Sequence, residues 1–151
     1  MTDGSRANRR GRTLENAIND LLSEEYVQVA ASRFFALRYM RQPIFAEQFQ
    51  IGQDVYGKNR RVDFILYHPQ RLPNCLVIQC KWQASSGSVE EKYPFEVLSI
   101  GNNKFETIIV LDGGGYSEGA ESWLKEQAGK DNLLHVLSLG EITKRVSKGL
   151  I

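Results

Sequence analysis

Residues 60–67, RRVDFILY, and residues 75–82, CLVIQCKW, decide the fold class. Both are short runs rich in β-branched, aromatic and aliphatic side chains. Gly57 precedes the first, and His68-Pro69 and Pro73-Asn74 lie between the two. Runs of this kind bounded by turn residues form strands. Upstream, residues 44–51 (IFAEQFQI) are extended in pattern, and a turn containing Gly52 and Gly57 joins them to RRVDFILY as a hairpin. CLVIQCKW completes a strand triplet. Downstream, residues 105–112 (FETIIVLD) are a continuous apolar run of the type buried on both faces at the centre of a sheet. Residues 133–139 (LLHVLSL) read as a last strand.

Helices are expected between and around these strands. Leu14, Ala17, Ile18, Leu21 and Leu22 recur at helical spacing behind Thr13, a suitable N-cap. A second helical stretch is predicted from Ala30 to Met40, ended by Pro43. Ser88 opens a helix carrying Val89, Val97, Leu98 and Ile100, which Pro94 kinks or restarts. Another runs through Ala120, Trp123 and Leu124, and a terminal one starts at Gly140. The order α-β-β-β-α-β-α-β-α predicts an α/β fold, a single domain with a mixed central sheet flanked by helices.

With 151 residues, 42% of them hydrophobic and 25% charged, the chain has the size and composition of one globular domain. The expected domain spans residues 13–151. Residues 1–12 are rich in Gly, Arg and Asn without apolar periodicity, and read as a mobile basic arm. No apolar run approaches the roughly 20 residues needed to cross a bilayer, so no membrane association and a cytoplasmic location are expected. The net charge is only +1, yet every arginine except Arg145 lies at or before Arg71. Guanidinium forks match phosphates and base edges, so this bias points to nucleic acid. Arg6, Arg9, Arg10 and Arg12 in the arm, with Arg60 and Arg61, are the candidate DNA contacts. Cys75 and Cys80 fall on opposite faces of one strand, too far apart to bridge, and read as inert thiols.

The strands also carry polar groups where core residues belong. Alternation places Asp63 on one face with Ile65 and Tyr67, and Gln79 and Lys81 on one face with Val77. A carboxylate, an amide and an ammonium on a sheet face are costly unless they serve one another or a ligand. If the strands are neighbours, Asp63, Gln79 and the backbone carbonyl of Cys80 offer hard oxygen ligands for Mg²⁺ or Mn²⁺. Lys81 is placed to orient an attacking water, and Glu15 on the first helix to reach the same ion. This constellation suits phosphodiester hydrolysis.

Glu15 in GRTLENAI, Asp63 in RRVDFIL and Gln79-x-Lys81 in CLVIQCKWQ together resemble the PD-(D/E)XK nuclease superfamily over residues 11 to 139. The resemblance implies an αβββαβ core and metal-dependent DNA cleavage. It also implies Asp63 and Gln79 as ligands, Lys81 as the catalytic lysine and Glu15 as a helix-borne acid. Val62 stands where a proline is usual, and Gln79 where an acid is usual. Some members share the Q-x-K form, including transposon end-cleaving nucleases and an intron-encoded homing endonuclease. Glu91, in the second triplet Glu90-Glu91-Lys92, either restores the missing charge or belongs to an ordinary acidic first turn.

The expected function is divalent-metal-dependent DNA endonuclease, of restriction, homing or transposon-end type. Its partners would be double-stranded DNA and further copies of the chain, in a homodimer or homotetramer. The alternatives are a catalytically decayed DNA-binding or assembly protein of the same fold, and a junction resolvase or repair nuclease. Residues 113–119 (GGGYSEG) lack the ending of a phosphate loop and read as a strand-to-helix turn capped by Ser117. Asp112 is either an outer acid of the site or turn chemistry. His68 and His135 are assigned to structure.

Overall fold

The computed structural model describes the backbone of residues 3–85 and 88–151, with side chains from residue 12 to 85 and from 90 onward. The helices are α1 (Asp3–Leu22), α2 (Phe34–Leu37), α3 (Tyr93–Gly101), α4 (Glu118–Glu126) and α5 (Leu139–Ser147). The strands are β1 (Val27–Gln28), β2 (Ile44–Gln53), β3 (Asn59–His68), β4 (Leu72–Trp82), β5 (Thr107–Asp112) and β6 (Leu133–Leu137). They form one mixed sheet in chain order. β2, β3 and β4 are antiparallel neighbours, while β4, β5 and β6 are parallel and joined by helical crossovers. The predicted strand triplet and mixed α/β sheet are therefore present.

α1 and α5 cover one face of this sheet, with Leu14, Ile18, Leu22, Ile142 and Val146 packed against Phe64, Leu66, Ile78, Ile108 and Val110. Each such Leu or Ile contributes about 1.5–3 kcal/mol when fully buried. That burial sets the rotation of α1, and so the direction of Glu15 beside Leu14. α3 and α4 cover the other face, where Ile100 and Leu124 meet Ile109 and Leu111. β5 therefore sends alternate side chains into two cores, the reason for its continuous apolar run. Ser138 caps α5 in a full capping box with Glu141, and Ser117 Oγ accepts from Ala120 N–H at 3.1 Å to cap α4.

Several boundaries differ from expectation. α1 begins at Asp3, not after Thr13, so the backbone of residues 3–12 is helical and continuous with the helix that carries Glu15. No proline or β-branched residue interrupts them, and Arg and Ala favour helix. Their lack of apolar periodicity left no packing signal to read. Arg12 is exposed on this helix, and the side chains of Arg6, Arg9 and Arg10 lie outside the described residues. The stretch from Ala30 to Met40 is a 3-10 turn, the single turn α2 and another 3-10 turn. Residues 88–92 form a 3-10 turn from which α3 restarts with Pro94 in its first turn. β1, parallel to β2, had no sequence signal at two residues.

Cys75 and Cys80 are free, and burial raises both thiols above their ordinary range. Among the described residues no helix is long and apolar enough to cross a membrane.

Candidate active site

The alternation of β2 and β3 breaks at one level. Ala46 and Phe49 share a core cluster although three residues separate them, and so do Val62 and Ile65. Phe45, Phe64 and Leu66 belong to the cluster on the opposite face. The ladder passes from Glu47–Phe64 to Phe49–Val62, stepping over Gln48 and Asp63. Gln48 there has φ +51°, an uncommon value for a residue with a side chain. Asp63 thus occupies a face switch, and Val62, not Asp63, shares a face with Ile65 and Tyr67.

The consequence is a carboxylate aimed at the neighbouring strand. Pairing of β3 with β4 ends at Phe64–Ile78. Beyond it side chains replace the ladder: Asp63 Oδ2 accepts from Cys80 N–H at 2.7 Å, and Asp63 N–H donates to Gln79 Oε1 at 3.0 Å. The other end of Gln79 donates to Glu96 Oε1 at 3.1 Å. Gln79 therefore ties two carboxyl-bearing residues together, with both ends of its amide occupied. This is a different role from the expected free oxygen ligand.

Glu96, on α3, went unrecognised in the sequence. Its carboxylate accepts from Arg60 Nη2 at 2.7 Å and from Lys81 Nζ at 3.4 Å. Lys81 and Arg60 together hold Glu96 below its ordinary range despite burial. The signal was present: Tyr93, Val97 and Ile100 form the inward face of α3, and Glu96 sits on that face. Glu91, read either as restoring the charge absent at Gln79 or as part of an ordinary acidic turn, is exposed on the turn before α3, as the second reading has it. Arg60 also corrects an expectation. It is 7% exposed, turned inward to Glu96, with Nη1 buried and unpartnered among the described residues. A buried carboxylate needs cations, and the face switch brings Arg60 to it. Arg61 is exposed, as a DNA contact requires.

Glu15 arrives from the opposite layer. Burial raises its carboxyl to about 7, with the charge of Asp63, the hydrogen bond to Asp63 and the charge of Glu47 adding to the effect. Burial raises Asp63 too, offset in part by Cys80 N–H, Lys81 and the bond from Glu15. Burial thus favours the protonated form of both carboxyl groups, most strongly that of Glu15. Glu47, a second acid not foreseen, accepts from Asn19 Nδ2.

A pH dependence follows from this pair. Glu15 binds its proton in the folded state up to about pH 7 but releases it near 4.5 when unfolded. Between those values the folded state holds more protons, so stability is full below pH 4.5 and declines as pH rises to 7. The metal-free protein should show this decline in melting temperature. Glu15→Gln should flatten it, and melting curves across pH 4–8 check both.

The remaining polar candidates are accounted for by backbone. Asp112 Oδ1 accepts from Gly113 N–H at 2.8 Å and Oδ2 from Leu139 N–H at 3.0 Å, joining the end of β5 to the start of α5. His68 Nδ1 accepts from Gln70 and Arg71 N–H, and His135 lies against Arg145. The glycine run packs on the exit of β4: Gly115 N–H donates to Gln83 O at 2.7 Å, and a Cβ on Gly115 would lie 2.1 Å from the Ala84 carbonyl carbon. Gly115→Ala should therefore cost about 1–3 kcal/mol, measured by denaturant unfolding. An unchanged midpoint would show that the loop does not rest on β4.

A family model described as a PD-(D/E)XK nuclease superfamily domain matches residues 6–150. The chain belongs to this superfamily. No curated protein and no solved structure matches it. Two positions of the PD-(D/E)XK resemblance, Asp63 and Lys81, lie at the splayed end of β3 and β4, with Glu15 over Asp63. β4 stays paired with β5 as far as Trp82–Asp112 while its pairing with β3 stops at Phe64–Ile78, so side chains enter the gap between β3 and β4.

Among the described residues no three His, Cys, Asp or Glu side chains are already arranged around an ion. The donor set nevertheless fits a hard divalent cation. Burial raises both the Glu15 and the Asp63 carboxyl, with the Asp63 charge adding to the rise at Glu15, and a bound cation would offset both effects.

Proposed function

We propose that this protein is a divalent-metal-dependent DNA endonuclease. The observation that carries the reading is the convergence of Asp63, Glu96 and Lys81 at the splayed strand end, with Glu96 supplying the carboxylate that Gln79 lacks. Asp63, Glu15, Glu96 and the Cys80 carbonyl would hold Mg²⁺ or Mn²⁺, which when bound supplies Lewis-acid stabilisation of the phosphate. Lys81 Nζ, about one-third exposed and held at one side by Glu96, keeps donor capacity for the attacking water. It orients that water and holds the negative charge that develops on it. Asp63 is fixed by Cys80 N–H, so its second oxygen keeps a constant direction.

Double-stranded DNA is the proposed substrate. Arg12 and Arg61, exposed, are the cations offered to its phosphates. One site per chain and two strands to cut make a homodimer or homotetramer the proposed working form. The second reading, a DNA-binding protein with a decayed site, is favoured by an amide at Gln79 where a charged ligand is usual, with each end of that amide already in one hydrogen bond.

Incubation with supercoiled plasmid, in Mg²⁺ or in EDTA, tests the proposal. Nicked and linear products should form with Mg²⁺ and not with EDTA, and Asp63→Ala should form none. Equal cleavage by Asp63→Ala and the unaltered protein would remove Asp63 from the mechanism.

A further inference from the structure

The β2–β3 hairpin that carries Arg60 and Asp63 ends in a turn that is firmly built. Asp54 Oδ1 accepts from Tyr56 N–H at 2.8 Å and from Lys58 N–H at 3.0 Å, and Asp54 N–H donates to Lys58 O at 2.7 Å. Gly57, at φ +77°, lets the chain reverse. This turn holds out Tyr56, 76% exposed, with its ring stacked on Phe95 at 5.3 Å between centroids and 25° between planes. Phe95 directly precedes Glu96 on α3, so the stacked rings are one helical residue removed from the carboxylate that Lys81 and Gln79 meet. Val55 and Leu98 extend the apolar surface and line one shallow cavity beside it.

A tyrosine so exposed gains little from burial, and one face of its ring remains open to solvent. Exposed cations flank it along the chain: Lys58 in the turn and Lys92 just before α3, with Glu91 beside Lys92 and Asp131 in the Val55–Leu98 cavity as exposed acids. Flat apolar rings with cations beside them match the two parts of a nucleotide, base and phosphate. A second copy of the chain would gather Lys58 and Lys92 of both copies into one interface, like charges that an anionic strand neutralises and a second copy does not.

We infer that Tyr56 and Phe95 form a stacking platform for an unpaired nucleobase in the DNA strand that crosses the Asp63–Lys81 site. The inference rests on the nuclease reading and narrows its substrate. In intact duplex both faces of each base are covered by neighbours, so the platform favours DNA with a gap, a flap or a displaced nucleotide.

The test uses two duplexes of equal length, one fully paired and one with a central two-nucleotide gap whose unpaired bases include 2-aminopurine. Affinity is measured with Ca²⁺ in place of Mg²⁺. The unaltered protein and Tyr56→Phe should bind the gapped duplex more tightly and quench its 2-aminopurine. Tyr56→Ala should lose about 5- to 150-fold on the gapped duplex and less than about twofold on the paired one. Phe95→Leu, in a partly buried position, serves as the second variant, with melting curves to establish folding. The inference is overturned if Tyr56→Ala matches the unaltered protein on gapped DNA, loses equally on both duplexes, or loses affinity only because an oligomer dissociates in sedimentation. It is also overturned if the unaltered protein binds neither duplex. Tyr56-dependent binding of gapped DNA that Mg²⁺ never converts to cleavage would defeat the nuclease reading and leave the platform standing. Cleavage indifferent to Tyr56 would defeat the platform alone.

Discussion

Lys81→Ala is expected to lower single-turnover cleavage by on the order of 10²- to 10⁴-fold, with DNA affinity changed by about tenfold or less. Lys81 Nζ sits 3.4 Å from Glu96 and close enough to Asp63 to offset part of the rise that burial causes in its carboxyl, while about one-third of its side chain is open to solvent. A lysine kept only for structure would be sealed against its carboxylate. One kept only to bind phosphate would contribute to affinity in the ground state. A group that stabilises charge appearing on the attacking oxygen contributes in the transition state, so its loss appears in turnover of bound DNA. Single-turnover cleavage and binding measured on one preparation of the variant decide the matter. Collapsed affinity with an unchanged rate on bound DNA would assign Lys81 to binding and favour the decayed-site reading.

Glu96→Gln is expected to have the largest combined effect on stability and activity. The change leaves the Arg60 guanidinium, 6% exposed in its side chain, without a counter-charge. Breaking one side of a buried pair costs about 3–5 kcal/mol, or about 6–20 °C in melting temperature for a chain of this size. Cleavage should also fall to background, since Glu96 is the carboxylate proposed to stand in for the acid absent at Gln79. The two losses separate in the double variant Arg60→Met with Glu96→Leu. Removing both charges should recover most of the stability and none of the cleavage. A double variant that cuts DNA at the normal rate would show that Glu96 serves the fold alone.

Much of the architecture is written in local pattern. The continuous run TIIVLD could only be buried on two faces, Ser117 caps the helix after the glycine run, and Leu14, Ile18, Leu21 and Leu22 mark the buried stripe of α1. Asp63 and Lys81 were legible for a related reason, since charged groups inside strongly apolar strands have no place in a core. These features depend on residues a few positions apart, and periodicity reports them directly.

The rest was decided by tertiary structure. Whether Asp63 faces a core or a neighbouring strand depends on the face switch at Gln48 and Asp63, which no residue type at those positions announces. Arg60 reads as a surface arginine until that switch turns it toward α3. Gln79 reads as a ligand until its two ends find Asp63 N–H and Glu96. Glu96 itself lies 15 residues beyond Lys81 along the chain. It joins the site only because the burial of Tyr93, Val97 and Ile100 rotates α3 so that this carboxylate faces the sheet. By itself the sequence determined the five longer strands, the Ser117 cap and the two charged residues at the strand ends. The electrostatic balance among them came only with the packing of α1 and α3 on opposite faces, because charges in a low-dielectric gap answer to whichever partners the fold brings within a few ångströms.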